Sequence, residues 1–336
     1  KKLLHYHDGF TGGVVSESTA PEFFLAEGGP TDSRAELEAM LSGIFLPASA
    51  NRENDLAEIQ KNGGVASPKL QHPLCQFPLR ARWLREQLNI ESNLLPIVTC
   101  KNYDVYRRVM DASSITLVFS SYYLNNPSST FGHSFLRINR KGPPDEEKTR
   151  PTNERYELLD HGANYGAQAT TTNPILYAVL GLFGGFHGVF TYLPYFYKVR
   201  EYNDFESRDL WSYDLALSSG EVERVMEHLW ELGSTYFPYY YLTKNCSYHV
   251  LAALEAAVPR LDLVGKLPFW VIPSDTIKVV YQSPGLVKAV SYRPSARSTF
   301  LRRLPALTVH EREAFHKLAL SEDVDVEIDR LVNSPE

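Results

Sequence analysis

The rhythm of hydrophobic and polar positions changes once along this chain, and the change divides it. From residue 1 to about 112, apolar residues recur at helical spacing. AELEAMLSGIF follows Ser33-Arg34-Ala35-Glu36, which has the pattern of a capping box and predicts a helix start. FPLRARWLREQL, with Pro78 near its first turn, and KNYDVYRRVMDAS predict two more helices. NRENDLAEIQKNGG, polar and closed by paired glycines, reads as a connector or an exposed helix.

At Ser114 the period shortens. SITLVFSSYYL is β-branched and aromatic and predicts a strand. NNPSST supplies a turn, and FGHSFLRINR alternates as a second strand. That alternation puts Phe131, His133, Phe135 and Arg137 on one face and Gly132, Ser134, Leu136 and Ile138 on the other. The polar KGPPDEEKTRPTNER predicts a loop, and YELLDHGANYGA a third strand antiparallel to the second. The run from Ile175 to Leu193 carries no charge and is about long enough to cross a bilayer. Gly181, Gly184, Gly185, Gly188 and His187 in its middle predict instead a short helix, a glycine loop and a strand, with a true span as the alternative. FTYLPYFYKVREY and DLWSYDLAL read as strands. Between Ser219 and Gly233, Val222, Val225, Met226 and Leu229 form one helical stripe. TYFPYYYLTK then leads into NCSYHVLAALEAAV, a helix stopped by Pro259. The expected class is α+β: a helical N-terminal region (1–112), a mixed domain (113–290) and a C-terminal helical arm (291–336).

Composition narrows the function. The net charge of −6 disfavours both nucleic acid and a polybasic membrane-surface contact as partners. The chain opens KKLLHYHDGF, without Met or leader, so a start trimmed from a longer chain is expected. HEREA at His310–Ala314 lacks the second His of a metalloprotease motif, and no third ligand accompanies His5 and His7. No phosphate-binding loop or dinucleotide fingerprint occurs, so neither metal nor cofactor is expected. Of the three cysteines, Cys75 and Cys100 flank a helical segment and Cys246 stands apart. An oxidising compartment would pair the first two and leave Cys246 free; a reducing one would leave three thiols.

Cys246 is the residue with chemistry to offer. With Asn245 as N-cap it occupies the first turn of a helix, where unpaired N–H groups and the helix dipole favour thiolate. A buried structural cysteine is the alternative. A nucleophile needs a base, and His133 sits on a strand between Phe131 and Phe135, where packing alone would prefer Val or Ile. A third group must fix the base's tautomer. The next strand offers Asp160, His161 and Asn164, and the Asn164 amide can accept from one ring nitrogen and leave the other for the thiol. The helix N–H groups are expected to hold an oxyanion. The aromatic runs YLPYFY and TYFPYYYL either wall an acyl-chain pocket, sit at a membrane interface, or pack the sheet.

In order along the chain, TFGHSFLRI, LLDHGANYGA, LYAVLGLFGGFHG, YFYKVREYNDFESRDLWSYDL and PYYYLTKNCSY resemble the N-terminal periplasmic domain of Lnb-type lipoprotein N-acyltransferases, from about Thr116 to Ile277. QHPLCQFPLRARWL and FFLAEGGPTDSRAEL are similar to the helical segment that precedes this domain in Gram-negative relatives. The resemblance implies a permuted NlpC/papain-like core, an antiparallel sheet with a nucleophile-bearing helix in which His precedes Cys, as in lecithin:retinol acyltransferase-like enzymes. Carried over, Cys246 is the nucleophile, His133 the base and Asn164 the orienting residue, with Asn245, Lys244, Asp160 and Tyr248 in support. Lys244 and His187 depart from the pattern, where an acidic residue and a proline are expected; a lysine beside the thiol would lower its pKa further. The implied activity is transfer of an acyl group from a lipid or lipoprotein ester, through S-acyl-Cys246, to a lipoprotein N-terminal amine in the periplasm. A lipoprotein or phospholipid is the implied partner, with contact to a membrane surface. A cell-wall peptide or amide hydrolase using the same pair, and a non-catalytic binding module, are the alternatives.

Overall fold

The computed structural model describes residues 1–10, 12–55, 67–124, 129–141 and 157–320. Parts of the expected connector at 51–64, the NNPSST turn, the loop after Lys141 and the end of the C-terminal arm lie outside them. Seven strands form an antiparallel sheet in the order β8-β6-β5-β4-β3-β7-β9. They are β3 (Ala112–Ser120), β4 (His133–Arg140), β5 (His161–Gln168), β6 (Phe186–Pro194), β7 (Leu210–Leu215), β8 (Tyr236–Tyr239) and β9 (Val287–Arg293). Two short strands near the start, β1 (Tyr6–Asp8) and β2 (Val14–Ser16), pair separately. They interrupt the N-terminal region that the sequence presents as helical. Their three-residue length leaves too little alternation to read.

Period-two alternation explains the sheet's two faces. Ile115, Leu117, Leu136, Ile138, Ala163 and Tyr165 face the main core. Onto that face pack α6 (Ser219–Leu232), through Val222, Val225 and Leu229, and α7 (Cys246–Ala257), through Val250, Leu251 and Leu254. Val118 and Phe135 face the other side, against α5 (Tyr195–Val199) and the π-helical turns of Arg200–Phe205, which bring Tyr195, Val199 and Tyr202. The expectation that YFYKVREY is a strand is therefore wrong. Its buried positions, Tyr195, Lys198, Val199, Tyr202 and Asn203, follow a helical period that the β-prone aromatic composition conceals. Ile175–Leu193 resolves as expected into a helix, α4 (Pro174–Phe183), a left-handed Gly184 and strand β6. No described helix is long and apolar enough to cross a membrane.

The N-terminal segments share the main core, contributing Tyr6, Phe23, Phe24, Leu79, Tyr103 and Tyr106. Among them are helices α1 (Ser33–Gly43), α2 (Pro78–Leu88) and α3 (Lys101–Met110). The capping box expected at Ser33 does not form. Asp32 caps α1 instead, accepting from the Arg34 and Ala35 N–H groups. Glu36 is thereby free to accept from Leu25 and Ala26 and to pair with the buried Arg80 at 3.3 Å. Arg80 lies between the Phe23 and Phe77 rings and meets Glu231 of α6 at 3.5 Å, so the two regions share a buried ion cluster. Beyond residue 290, β9 continues to Arg293 alongside β7, and α8 (Ala296–Arg303) and α9 (Val309–Leu320) follow.

Cys75 and Cys100 form a disulfide with a Cα–Cα distance of 5.2 Å, and Cys246 is a free, buried thiol. The bond closes a loop with a sequence separation of 25 around α2. A Cys75→Ser/Cys100→Ser variant should lose about 3–4 kcal/mol, the chain-entropy value for a loop of that length. Urea unfolding checks this, and an unchanged midpoint would contradict it.

Candidate active site

Asn245 sets the position of Cys246. Its Oδ1 accepts from the Ser247 N–H (3.1 Å) and the Tyr248 N–H (3.4 Å), which starts α7 at Cys246. Its Nδ2 donates to the Tyr241 carbonyl (3.0 Å) and the Val271 carbonyl (2.7 Å), fixing the helix against two flanking segments. Cys246 is 2 % exposed.

The sheet opens where the thiol arrives. β4 and β5 pair only from Leu136↔Ala163 to Ile138↔His161. Beyond that point β4 keeps its ladder with β3 as far as Ser120↔His133, while β5 keeps its ladder with β6 as far as Gln168↔His187. The two central strands part, and backbone groups that would have paired across them are released. The Ser134 N–H and the His133 ring, from the first two residues of β4, both act on the Cys246 thiol and lower its pKa. His133 follows Gly132, whose φ of +98° suits glycine and where a Cβ would come within 2.8 Å of the Ser120 carbonyl. On the far side of the ring, Nε2 lies 2.5 Å from Asn164 Oδ1 on β5. An amide oxygen only accepts, so Nε2 carries the proton and Nδ1 is the unprotonated nitrogen of the neutral ring. The ring is bounded by Phe135 (centroids 6.1 Å apart) and Tyr202 (5.9 Å).

Burial pushes the Cys246 thiol up, but the His133 charge and hydrogen bond, the Ser134 N–H and the Ser247 hydroxyl outweigh it. The net result is a pKa lowered from 9.0 to about 7. Burial, and in second place the negative charge at Cys246, hold the Tyr239 phenol well above its ordinary value. Asn245 Oδ1 takes the Ser247 and Tyr248 N–H groups and the Asn245 carbonyl takes the His249 N–H, so, contrary to the sequence expectation, these three first-turn donors are not open to an oxyanion. The Ser247 hydroxyl lies 4.0 Å from the sulfur.

The supporting residues divide. Lys244 does not touch the thiol; its ammonium pairs with Glu17 at 3.0 Å. Tyr248 donates to the same carboxylate at 2.6 Å, because two residues beyond Cys246 the helix has turned its side chains toward the N-terminal region. Asp160 lies away from His133. It accepts from the Arg140 N–H and faces Arg137 at 3.6 Å, within a buried cluster that includes Glu157. His187 sits on β6, stacked on Tyr236, rather than in a loop. His5 is buried with His228, their Nε2 atoms 3.3 Å apart. No group of three or more His, Cys, Asp or Glu is arranged to hold a metal ion among the described residues. Sequence reasoning missed Ser134, Tyr202 and Tyr239. The alternating burial of Phe237 and Tyr239 in TYFPYYYL was the one available signal for the last.

A family model described as the Lnb N-terminal periplasmic domain matches residues 102–283, and a model described as a domain of unknown function matches residues 1–87. No curated protein and no solved structure matches the chain.

Alkylation of Cys246 by iodoacetamide should follow a pH–rate curve with its midpoint near 7. His133→Ala should move the midpoint up toward that of an ordinary thiol and slow labelling at neutral pH by about tenfold or more. A midpoint unchanged by His133→Ala would contradict the pairing.

Proposed function

Because the chain belongs to the Lnb N-terminal periplasmic domain family, we propose that this periplasmic domain is a cysteine-dependent acyltransferase. The observation that carries the reading is a buried Cys246 thiol whose pKa is lowered by the His133 imidazole, a ring held at Nε2 by Asn164. A thiol, a base and an orienting group in this order are what acyl transfer requires. Cys246 attacks the carbonyl carbon of a lipid or lipoprotein ester while His133 Nδ1 takes the thiol proton. The tetrahedral oxyanion forms at the start of α7, where the positive end of the helix dipole favours negative charge. Collapse breaks the ester C–O bond, the alcohol leaves with the proton from His133, and the acyl group remains on sulfur. An amine, the N-terminal amine of a lipoprotein, then attacks the thioester. Its proton passes through His133, and the amide departs as the thiol is restored.

Asn164 acts through His133 by holding the Nε2–H tautomer. A cell-wall amide hydrolase would use the same first step with water as acceptor, and the choice between the two rests on the acceptor.

Incubation with a diacylated lipopeptide should give an S-acyl adduct on Cys246, trapped by acid quenching and read by mass spectrometry. The lipopeptide should also gain an amide-linked chain. Cys246→Ala should abolish both products, and His133→Ala should slow them by about 10²–10⁴-fold. Absence of adduct and of acyl shift with the unaltered protein would overturn the assignment.

A further inference from the structure

Tyr202 meets the His133 ring from a stretch of unusual backbone. The π-helical turns of Arg200–Phe205, a winding that recurs where one side chain has to be aimed, continue α5. The chain then leaves them through Ser207, which holds a left-handed φ of 51° without being glycine. The result sets the buried Tyr202 ring 5.9 Å from the His133 ring and 5.8 Å from that of Phe135, centroid to centroid. Burial first, then Glu201, hold the Tyr202 phenol well above its ordinary value; Arg208 opposes them and the charge at Cys246 adds to them.

Arg208 holds this arrangement together. It is only 1 % exposed, a rare state for a guanidinium and a costly one unless its donors are matched. Its carboxylate partner, Glu206 at 2.8 Å, is itself partly open to solvent. The remaining donors go to backbone. Nε donates to the Ser121 carbonyl (2.6 Å) and Nη2 to the Ser120 carbonyl (3.3 Å), while the flat face of the group lies 4.7 Å from the centre of the Tyr202 ring. The Arg208 main chain is tied to the same turns: its N–H donates to the Tyr202 carbonyl (2.7 Å) and its carbonyl accepts from Asn203 Nδ2 (3.1 Å). Lys198 braces the ring as well, donating to the Tyr202 hydroxyl at 3.3 Å. Ser120 is the β3 residue paired with His133, and its carbonyl is the backbone atom that a Cβ on Gly132 would strike. One guanidinium therefore holds both the strand end beside the base and the ring on its flank.

We propose that Arg208 is a positioning residue for the base: it acts through Tyr202 and the Ser120 carbonyl to keep the His133 imidazole directed at Cys246. Arg208 touches neither the thiol nor the imidazole. The inference rests on His133 serving as the base in the acyl-transfer reading, and extends the site to what keeps that base in place. The planar fork of arginine explains the residue type. It serves two successive carbonyls and a carboxylate while stacking on an aromatic ring, whereas the ammonium of lysine offers a point charge without that geometry.

The pH–rate curve for iodoacetamide labelling of Cys246 tests this, because a residue that only stabilised the fold would leave its midpoint unmoved. Arg208→Lys and Tyr202→Leu should each raise the midpoint by about one pH unit and slow labelling at pH 7 about fivefold, as the thiolate fraction requires. Tyr202→Phe, which keeps the ring, should leave the midpoint in place. Thermal unfolding identifies the folded variants, and Tyr202→Leu carries the test where Arg208→Lys does not fold. An unmoved midpoint in the folded variants would overturn the proposal, and so would a shift in Tyr202→Phe as large as in Tyr202→Leu. His133→Ala, measured alongside, separates the two claims. If it alone moves the midpoint, the pairing stands and the positioning role fails; if it too leaves the midpoint unmoved, the pairing itself fails.

Discussion

The parting of β4 from β5 is the constraint on which the site depends. A continuous ladder would consume the Ser134 N–H and close the space into which α7 directs its first side chain. Because the strands separate beyond Leu136 and Ala163, the first two residues of β4, His133 and Ser134, are left to act on the Cys246 thiol. Burial alone would keep the thiol protonated. It is the His133 interaction, strengthened in a poorly solvated setting, that brings the pKa to about 7. The same burial that raises the cost of a lone thiolate makes the paired one effective.

Around this opening the rest of the molecule acts as a frame. Asn245 spends its amide oxygen on the helix start and its amide nitrogen on Tyr241 and Val271, so a single side chain fixes the nucleophile and joins it to two flanking segments. On the other side of α7, Glu17 receives Tyr248 and Lys244, and Arg80 joins Glu36 to Glu231. These buried contacts make the N-terminal segments part of the core that supports the cysteine helix. Removing one partner of such a pair leaves the other charge without compensation in the core.

Much of the site was legible because its parts obey local rules. Asn245 followed by an apolar helical run announces a cap, and alternation in HSFLRINR and HGANYGA places His133 and Asn164 on neighbouring strands whatever the rest of the fold does. The family resemblance supplied the pairing across the long interval between His133 and Cys246. What stayed hidden depends on three-dimensional context. The helical character of Tyr195–Phe205 is masked by residues that favour strands, and its period shows only once the buried side is known. Lys244 and Asp160 looked suited to the thiol and the base by proximity in sequence, yet each is claimed by a nearer buried opposite charge, Glu17 and Arg137. Tyr239 could not be assigned because the folded sheet, not the local sequence, brings its phenol within the electrostatic influence of Cys246.

The central claim is that the His133 ring carries its proton on Nε2, toward Asn164, and gives its Nδ1 lone pair to the sulfur of Cys246. Nitrogen-15 NMR of the labelled imidazole measures this directly. The account predicts an Nε2–H tautomer in the neutral ring and an Nδ1 resonance that moves when Cys246 is replaced by Ser or alkylated. An Nδ1 resonance indifferent to the state of residue 246 would contradict it.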